Sequence, residues 1–246
     1  LRHTLGSVYN DLGEYEKADA MHRKALELRQ RVLSSEHPDV GRSLFYLGST
    51  DGMLPSPERE ALLRRALTIQ LKVPNVDGND LADTYQELSS ALRAQGRFVD
   101  AENIARQSLA IRKSVLRIDH PRVANTMIAL AQALGHQGRV AEAEVIHREV
   151  LGVFRKLLAA DHPNVAKSLT NLGQALRDQS KFPEAETAFR EALELNRKIF
   201  GNSHPTVNHA ASELASVIMS QERWSEAETA YRELVSVTGN REDPDM

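Results

Sequence analysis

Apolar side chains return every three or four positions along this chain, the period of an amphipathic helix and not the alternation of a strand. Three stretches lie one beneath another at intervals of 42 residues: Tyr-Gln-Glu-Leu-Ser-Ser-Ala-Leu (85 to 92), Met-Ile-Ala-Leu-Ala-Gln-Ala-Leu (127 to 134) and Leu-Thr-Asn-Leu-Gly-Gln-Ala-Leu (169 to 176). Each runs through a turn into a second helical segment, and those segments are alike too: Glu-Tyr-Glu-Lys-Ala (14 to 18), Arg-Phe-Val-Asp-Ala (97 to 101), Arg-Val-Ala-Glu-Ala (139 to 143), Lys-Phe-Pro-Glu-Ala (181 to 185) and Arg-Trp-Ser-Glu-Ala (223 to 227). The pattern predicts pairs of helices, A and then B, repeated along the chain.

The punctuation agrees with the period. His-Pro occurs at 37 to 38, 120 to 121, 162 to 163 and 204 to 205, with gaps of 83, 42 and 42, so one weakened copy lies within the long gap. A proline in a first helical turn gives up an N–H that has no partner there anyway, which suits these prolines to open helix A and Pro57 and Pro183 to open helix B. Gly13, Gly96 and Gly138 close helix A where a left-handed backbone is wanted, and Ser180 and Glu222 replace them in the last two copies. Two places on, Tyr15, Phe98, Val140, Phe182 and Trp224 are placed to plug the foot of the hairpin.

Six repeats result, over about 1–38, 39–79, 80–121, 122–163, 164–205 and 206–238, followed by a tail at 239–246, as one array. The second is degenerate. It is one residue short, and its helix A runs into Asp51-Gly52-Met53-Leu54-Pro55, which predicts a shortened helix and a local kink. Its helix B must stop before Pro74, because an interior proline costs about 3 kcal/mol.

Composition changes this picture little. Hydrophobic content of 41% provides a core, while 5% aromatics and abundant Ala, Leu, Glu, Arg and Gln favour an all-α chain. Basic residues number 31 and acidic ones 34, a net charge of −3 with the signs interspersed, so no basic field recruits nucleic acid. There is no cysteine for disulfides or thiolate metal sites, and no apolar run approaches the roughly 20 residues of a membrane span. The expectation is a cytoplasmic protein with no membrane contact. Because the chain opens at Leu1 within a helical pattern, it reads as a segment of a longer protein.

Small residues carry the family resemblance. Gly173, Ala185 and Ala192 recur as Gly6, Ala18 and Ala25, positions where two helices can approach closely only because the side chains are short. Leu172-Gly173, Leu176, Ala185, Phe189 and Ala192 stand at the spacing of the tetratricopeptide repeat, and the resemblance covers nearly the whole chain. That repeat usually has 34 residues; the eight added here fall between Ala192 and the next helix A. The stretch from Ala160 to Leu172 is similar to the 42-residue repeats of kinesin light chains. The resemblance implies a right-handed α-α superhelix, a solenoid of about six hairpins, whose A helices line a concave groove for a peptide or a partner protein.

Mapping the period onto that groove gives Arg42, Phe45, Tyr46 and Ser49; Asp83, Gln86, Glu87, Ser90 and Arg93; Asn125, Ile128 and Gln132; Lys167, Thr170, Asn171, Gln174 and Arg177; and His209, Ser212, Glu213 and Ser216. Amides satisfy both N–H and C=O groups of an extended peptide. Kinesin light chains tend to carry asparagine where Asn171 stands, but Tyr46, Glu87, Ala129 and Glu213 hold the equivalent places here, a departure that counts against transferring that family's preference for acidic, tryptophan-containing cargo. Asp83, Glu87 and Glu213 make part of the face acidic and Lys167 and Arg177 make another part basic, which points to a ligand of segregated charge.

Other chemistry is weaker. The His-Pro histidines repeat too far apart to share a metal ion, and they read as helix caps. His22 and His147 take the buried helix B position of Phe189 and read as packed, hydrogen-bonded core. No Gly-x-Ser-x-Gly elbow or phosphate-cradling glycine loop occurs. The chain therefore reads as an interaction module, not an enzyme, needing no cofactor or metal. The competing expectation is a structural scaffold, a homodimer formed through terminal repeats that expose Leu234, Val235 and Val237. RNA binding requires a basic groove that these residues do not form.

Overall fold

Four of the A helices begin with a histidine acting as a cap. In the computed structural model, which describes residues 2–50 and 56–239, His37, His120, His162 and His204 each accept a hydrogen bond at Nδ1 from the backbone N–H two residues on, at 3.1, 3.1, 3.1 and 3.3 Å. The ring nitrogen thus does the work of the Asn or Asp oxygen at an ordinary helix start. In the weakened copy Asp77 does so itself, accepting from Asn79 N at 2.7 Å.

The A helices are α1 (Arg2–Asp11) and, begun by these caps, α3 (Pro38–Ser49), α5 (Gly78–Ala94), α7 (Pro121–His136), α9 (Pro163–Arg177) and α11 (Pro205–Ser220). The B helices follow them: α2 (Tyr15–Val32), α4 (Ser56–Gln70), α6 (Phe98–Val115), α8 (Val140–Leu157), α10 (Phe182–Phe200) and α12 (Trp224–Gly239). No strand occurs among the described residues. As expected, α3 is short, at 12 residues, and α4 stops ahead of Pro74. The kink expected at Asp51 to Pro55 lies outside the described residues, as do the tail from residue 240 and the side chains of Leu234, Val235 and Val237.

The A-to-B turn is one motif made five times. Gly13, Gly96 and Gly138 have φ of 75°, 75° and 78°, and Ser180 and Glu222 take the same left-handed conformation at 59° and 61°. The next N–H reaches back to the carbonyl five residues earlier, as from Arg97 to Leu92 and from Lys181 to Leu176, both 3.0 Å. This closes helix A and aims the chain into helix B. At the foot of the hairpin Phe98, Val140 and Phe182 are half-buried, whereas Tyr15 and Trp224 are exposed, so the plug expected there forms in only some copies.

The chain folds as two compact units, Leu1–Ala133 and Leu134–Met246. In the first, α1 to α6 pack each on the next, and α3 also touches α5. In the second, α8 to α12 do the same, and α9 also touches α11. Neighbouring A helices therefore lie side by side within a unit, with each B helix wedged behind them.

Small residues set the A–B spacing. A Cβ on Gly173 would stand 2.7 Å from Cε1 of Phe189; one on Gly48 would stand 2.9 Å from Leu63 Cγ, and one on Gly6 2.5 Å from His22 Cε1. In the third repeat Ser89 stands at the glycine's position and Ala105 at the larger residue's, and the Ser89 hydroxyl bonds the Ala101 carbonyl at 2.8 Å. Ala18, Ala101, Ala185 and Ala192 are fully buried beside these contacts. The spacing from Gly6 to His22, Ser89 to Ala105 and Gly173 to Phe189 is constant, while Gly48 to Leu63 is one shorter, so the residue missing from repeat two falls between those two positions.

Gly173→Ala is expected to lower stability by about 1 to 3 kcal/mol, the usual result of overpacking, and Phe189→Leu in the same chain to recover part of that loss. Urea titrations of the single and double variants measure both. Equal midpoints for Gly173→Ala and the parent would contradict the close approach.

Candidate interaction surface

The residues assigned to the A-helix face are not equally available. In the first unit Arg42 and Asn125 are exposed, while Phe45, Tyr46, Ser49, Asp83, Gln86, Glu87, Ser90, Arg93 and Gln132 are half-buried and Ile128 is buried. In the second, Lys167 and His209 are exposed; Asn171, Gln174, Arg177, Ser212, Glu213 and Ser216 are half-buried; and Thr170 is buried, its hydroxyl donating to the Ala166 carbonyl at 3.1 Å.

Most charges on this face are already answered. Asp83 accepts from Arg112, a guanidinium that α6 sends under α5 with its side chain almost wholly buried, and Arg122 approaches its other oxygen at 3.9 Å. Arg59 meets Glu87 at 3.4 Å. Glu213 takes Gln174 Nε2 at 3.0 Å and an ion pair from Arg177. The acidic and basic zones expected from the sequence are thus largely internal pairs. Lys167 makes no ion pair with another described residue, and one turn on Asn171 Nδ2 is a buried donor without a partner.

Aromatic rings mark the other end of the first unit. Tyr46 stacks on His22 at 5.7 Å between centroids and meets Phe45 edge-on at 5.0 Å. Phe45, Tyr46 and Arg42 form one wall of a cavity of about 340 Å³. The other walls are the connection carrying Val73 and Val76 and the start of α5 with Asp77, Asp80 and Asp83. The period could not find Asp77, Asp80 or the connection, because they lie off the positions that repeat.

On the B helices a second polar pattern recurs that the sequence reading missed. Glu144 of α8 accepts from Gln179 and Lys181 of the next hairpin turn, each at 2.8 Å, and from Arg148 at 2.8 Å. Glu60 takes Gln95 at 2.9 Å and Arg97 at 2.8 Å; Glu186 takes Gln221 at 2.7 Å and Arg223 at 2.6 Å. The bond from Lys181, with Arg148 and Gln179 adding to it, outweighs burial and holds the Glu144 carboxyl at about 2. The signal was in the sequence at one-period spacing.

His147 is nearly enclosed and its Nδ1 has no hydrogen-bond partner, so it is packed but not bonded there as expected. Burial pushes its imidazole down to about 4, and burial likewise lowers His22. No group of three His, Asp or Glu among the described residues gathers to hold a metal ion. No described helix is long and apolar enough to cross a membrane.

Profiles of the tetratricopeptide repeat match residues 1–39, 60–114, 94–156, 122–198 and 170–246. No curated protein matches the sequence. Among solved structures, a putative kinesin light chain with nearly identical TPR-like repeats from Podosopora anserina is 20% identical, with 98% of this chain and 95% of that one covered and a TM-score of 0.57. BtubC (BKLC) from P. vanneervenii is 18% identical over 94% of each chain, with a TM-score of 0.79. A Rap protein complexed with Competence and Sporulation Factor is 15% identical over 98% of this chain and 77% of its own, with a TM-score of 0.67. At these identities the likeness is one of fold.

The buried His147 fixes a sign. Its ordinary value is near 6.5, so below that pH the unfolded chain binds a proton that the native site refuses until about 4. Stability complete above pH 6.5 is therefore lost as pH falls toward 4. His147→Phe, the residue that Phe189 supplies at the same position, is expected to shrink the drop in melting temperature between pH 7 and pH 5. An unchanged drop would count against the assignment.

Proposed function

Because the chain belongs to the tetratricopeptide repeat family, we propose that it is a protein–protein interaction module whose A helices hold an extended segment of the partner. The observation that carries this reading is the pair Lys167 and Asn171: an exposed ammonium without an ion pair and, one turn on, an amide donor without an acceptor. An unmatched buried donor costs free energy in the empty protein, and rotation of the Asn171 amide out onto the face lets a carbonyl or carboxylate of a bound chain remove that cost. The other polar groups of α9 and α11 largely satisfy one another, so they shape the face and these two supply its open hydrogen-bonding capacity. The similar Rap protein was solved in complex with a second molecule, which fits a scaffold for binding. The role proposed is binding without catalysis, by a cytoplasmic chain that needs no cofactor.

Self-association through the last hairpin is the alternative reading. Trp224 is 63% exposed at a turn position where Phe98 and Phe182 are half-buried, and an exposed tryptophan beside Met219 offers a second copy an anchor.

Selection of a random peptide library on the whole chain is expected to enrich binders that Lys167→Ala with Asn171→Ala weakens by at least about tenfold, the loss of one charge-assisted hydrogen bond. Circular dichroism should show the same helicity in both proteins. Failure to enrich any peptide would overturn the module reading, and binders indifferent to the double substitution would remove this face from it. Light scattering that shows a dimer undone by Trp224→Ser would instead favour self-association.

A further inference from the structure

The cavity at the start of α5 has a chemistry of its own, set by which of its charges remain unanswered. Asp83 is held from behind by Arg112 and approached from the rim by Arg122 at 3.9 Å, so one carboxylate meets two guanidiniums and this corner of the cavity keeps a positive charge at Arg122. Asp77 spends one oxygen on the Asn79 N–H and keeps its charge. Asp80, one turn before Thr84, is exposed and makes no ion pair with another described residue. On the facing wall Arg42 is exposed and equally without an ion pair. The lining therefore combines the carboxylates of Asp77 and Asp80 at the start of α5, the guanidiniums of Arg42 and Arg122, and the apolar surface of Phe45, Tyr46, Val73 and Val76.

A cation with an apolar stem fits the first part: its stem lies on the valines and rings, its head reaches Asp80 and Asp77, and an aromatic face within about 6 Å adds attraction. Arg42 and Arg122 would repel a lone cation, but they match a ligand that carries a carboxylate a few bonds from its positive head. The volume, about 340 Å³, stands at the lower end of ligand sites and suits one large residue but not a helix. We propose that this cavity is a receptor for a C-terminal arginine or lysine, with the side chain at Asp80 and the terminal carboxylate at Arg42. The inference deepens the module reading and rests on it, since the residue bound would be the end of a partner's chain.

The probes are single residues, so the outcome is separable from that of the peptide library. Titrating N-acetylarginine into the labelled whole chain is expected to give saturable NMR shifts at Asp80 and Tyr46. N-acetylarginine amide should bind about tenfold more weakly for want of one charge-assisted contact. Asp80→Asn should abolish the response to both, and Arg42→Gln should make acid and amide equal, with melting temperatures confirming that each variant folds. The proposal is overturned by the absence of saturation, by an equal response to N-acetylleucine, or by variants that bind as the parent does. Binding of library peptides through Lys167 with no response here would sink this proposal and leave the module intact.

Discussion

In the hairpins α1–α2, α3–α4 and α9–α10 the two helices lie so near each other that one residue at the contact has no room for a side chain, and much of the structure follows from what that nearness demands. Where Phe189 presses on Gly173, or Leu63 on Gly48, one partner must have almost no side chain. Dispersion contacts are then gained along both helices at once, and a single added methyl forfeits them. Once A and B are joined in this way, the back of B is the apolar surface that remains. The next A helix covers it, as α3 covers α2 and α9 covers α8. The far side of each A helix is left for solvent or for a partner, while the outer face of the B helices meets solvent through charged residues such as Arg64, Arg106 and Arg190.

The polar residues divide between two tasks. On the B helices Glu60, Glu144 and Glu186 meet the turn of the following hairpin and hold neighbours in line. On the A helices most carboxylates are answered within the same unit, Glu213 by Gln174 and Arg177, and Asp83 by Arg112. A face that satisfies most of its own groups leaves selectivity to the few that are left over. Lys167 with Asn171 and Arg42 with Asp80 are such remainders, one pair in each unit.

The period made the hairpins, their glycine turns and their histidine caps legible from sequence, because each depends on one residue type at a fixed offset from its own helix. Ser180 and Glu222 could be placed in glycine's role for the same reason, and they adopt its backbone conformation. What the period could not convey was reach. Arg112 occupies a position held by Phe154 one repeat later, and nothing in its spacing tells that its guanidinium passes under α5 to Asp83. The unbonded Nδ1 of His147 and the cavity about Asp80 likewise depend on rotamers and on a connection outside the repeating positions. The Glu to Gln and Lys or Arg clamps were missed although their residues do recur, since their partners stand one hairpin away and a pattern read row by row does not cross rows.

Those clamps constrain how such a chain changes length. In each the glutamate precedes its glutamine by 35 residues and its basic partner by 37, so one period contains half of two clamps. Copying a stretch of one full period hands every glutamate a partner again. Copying any other length strands a carboxylate beside a turn that lacks its cation. Adding or removing a whole repeat is thus the change of length that keeps every one of these carboxylates beside a cation.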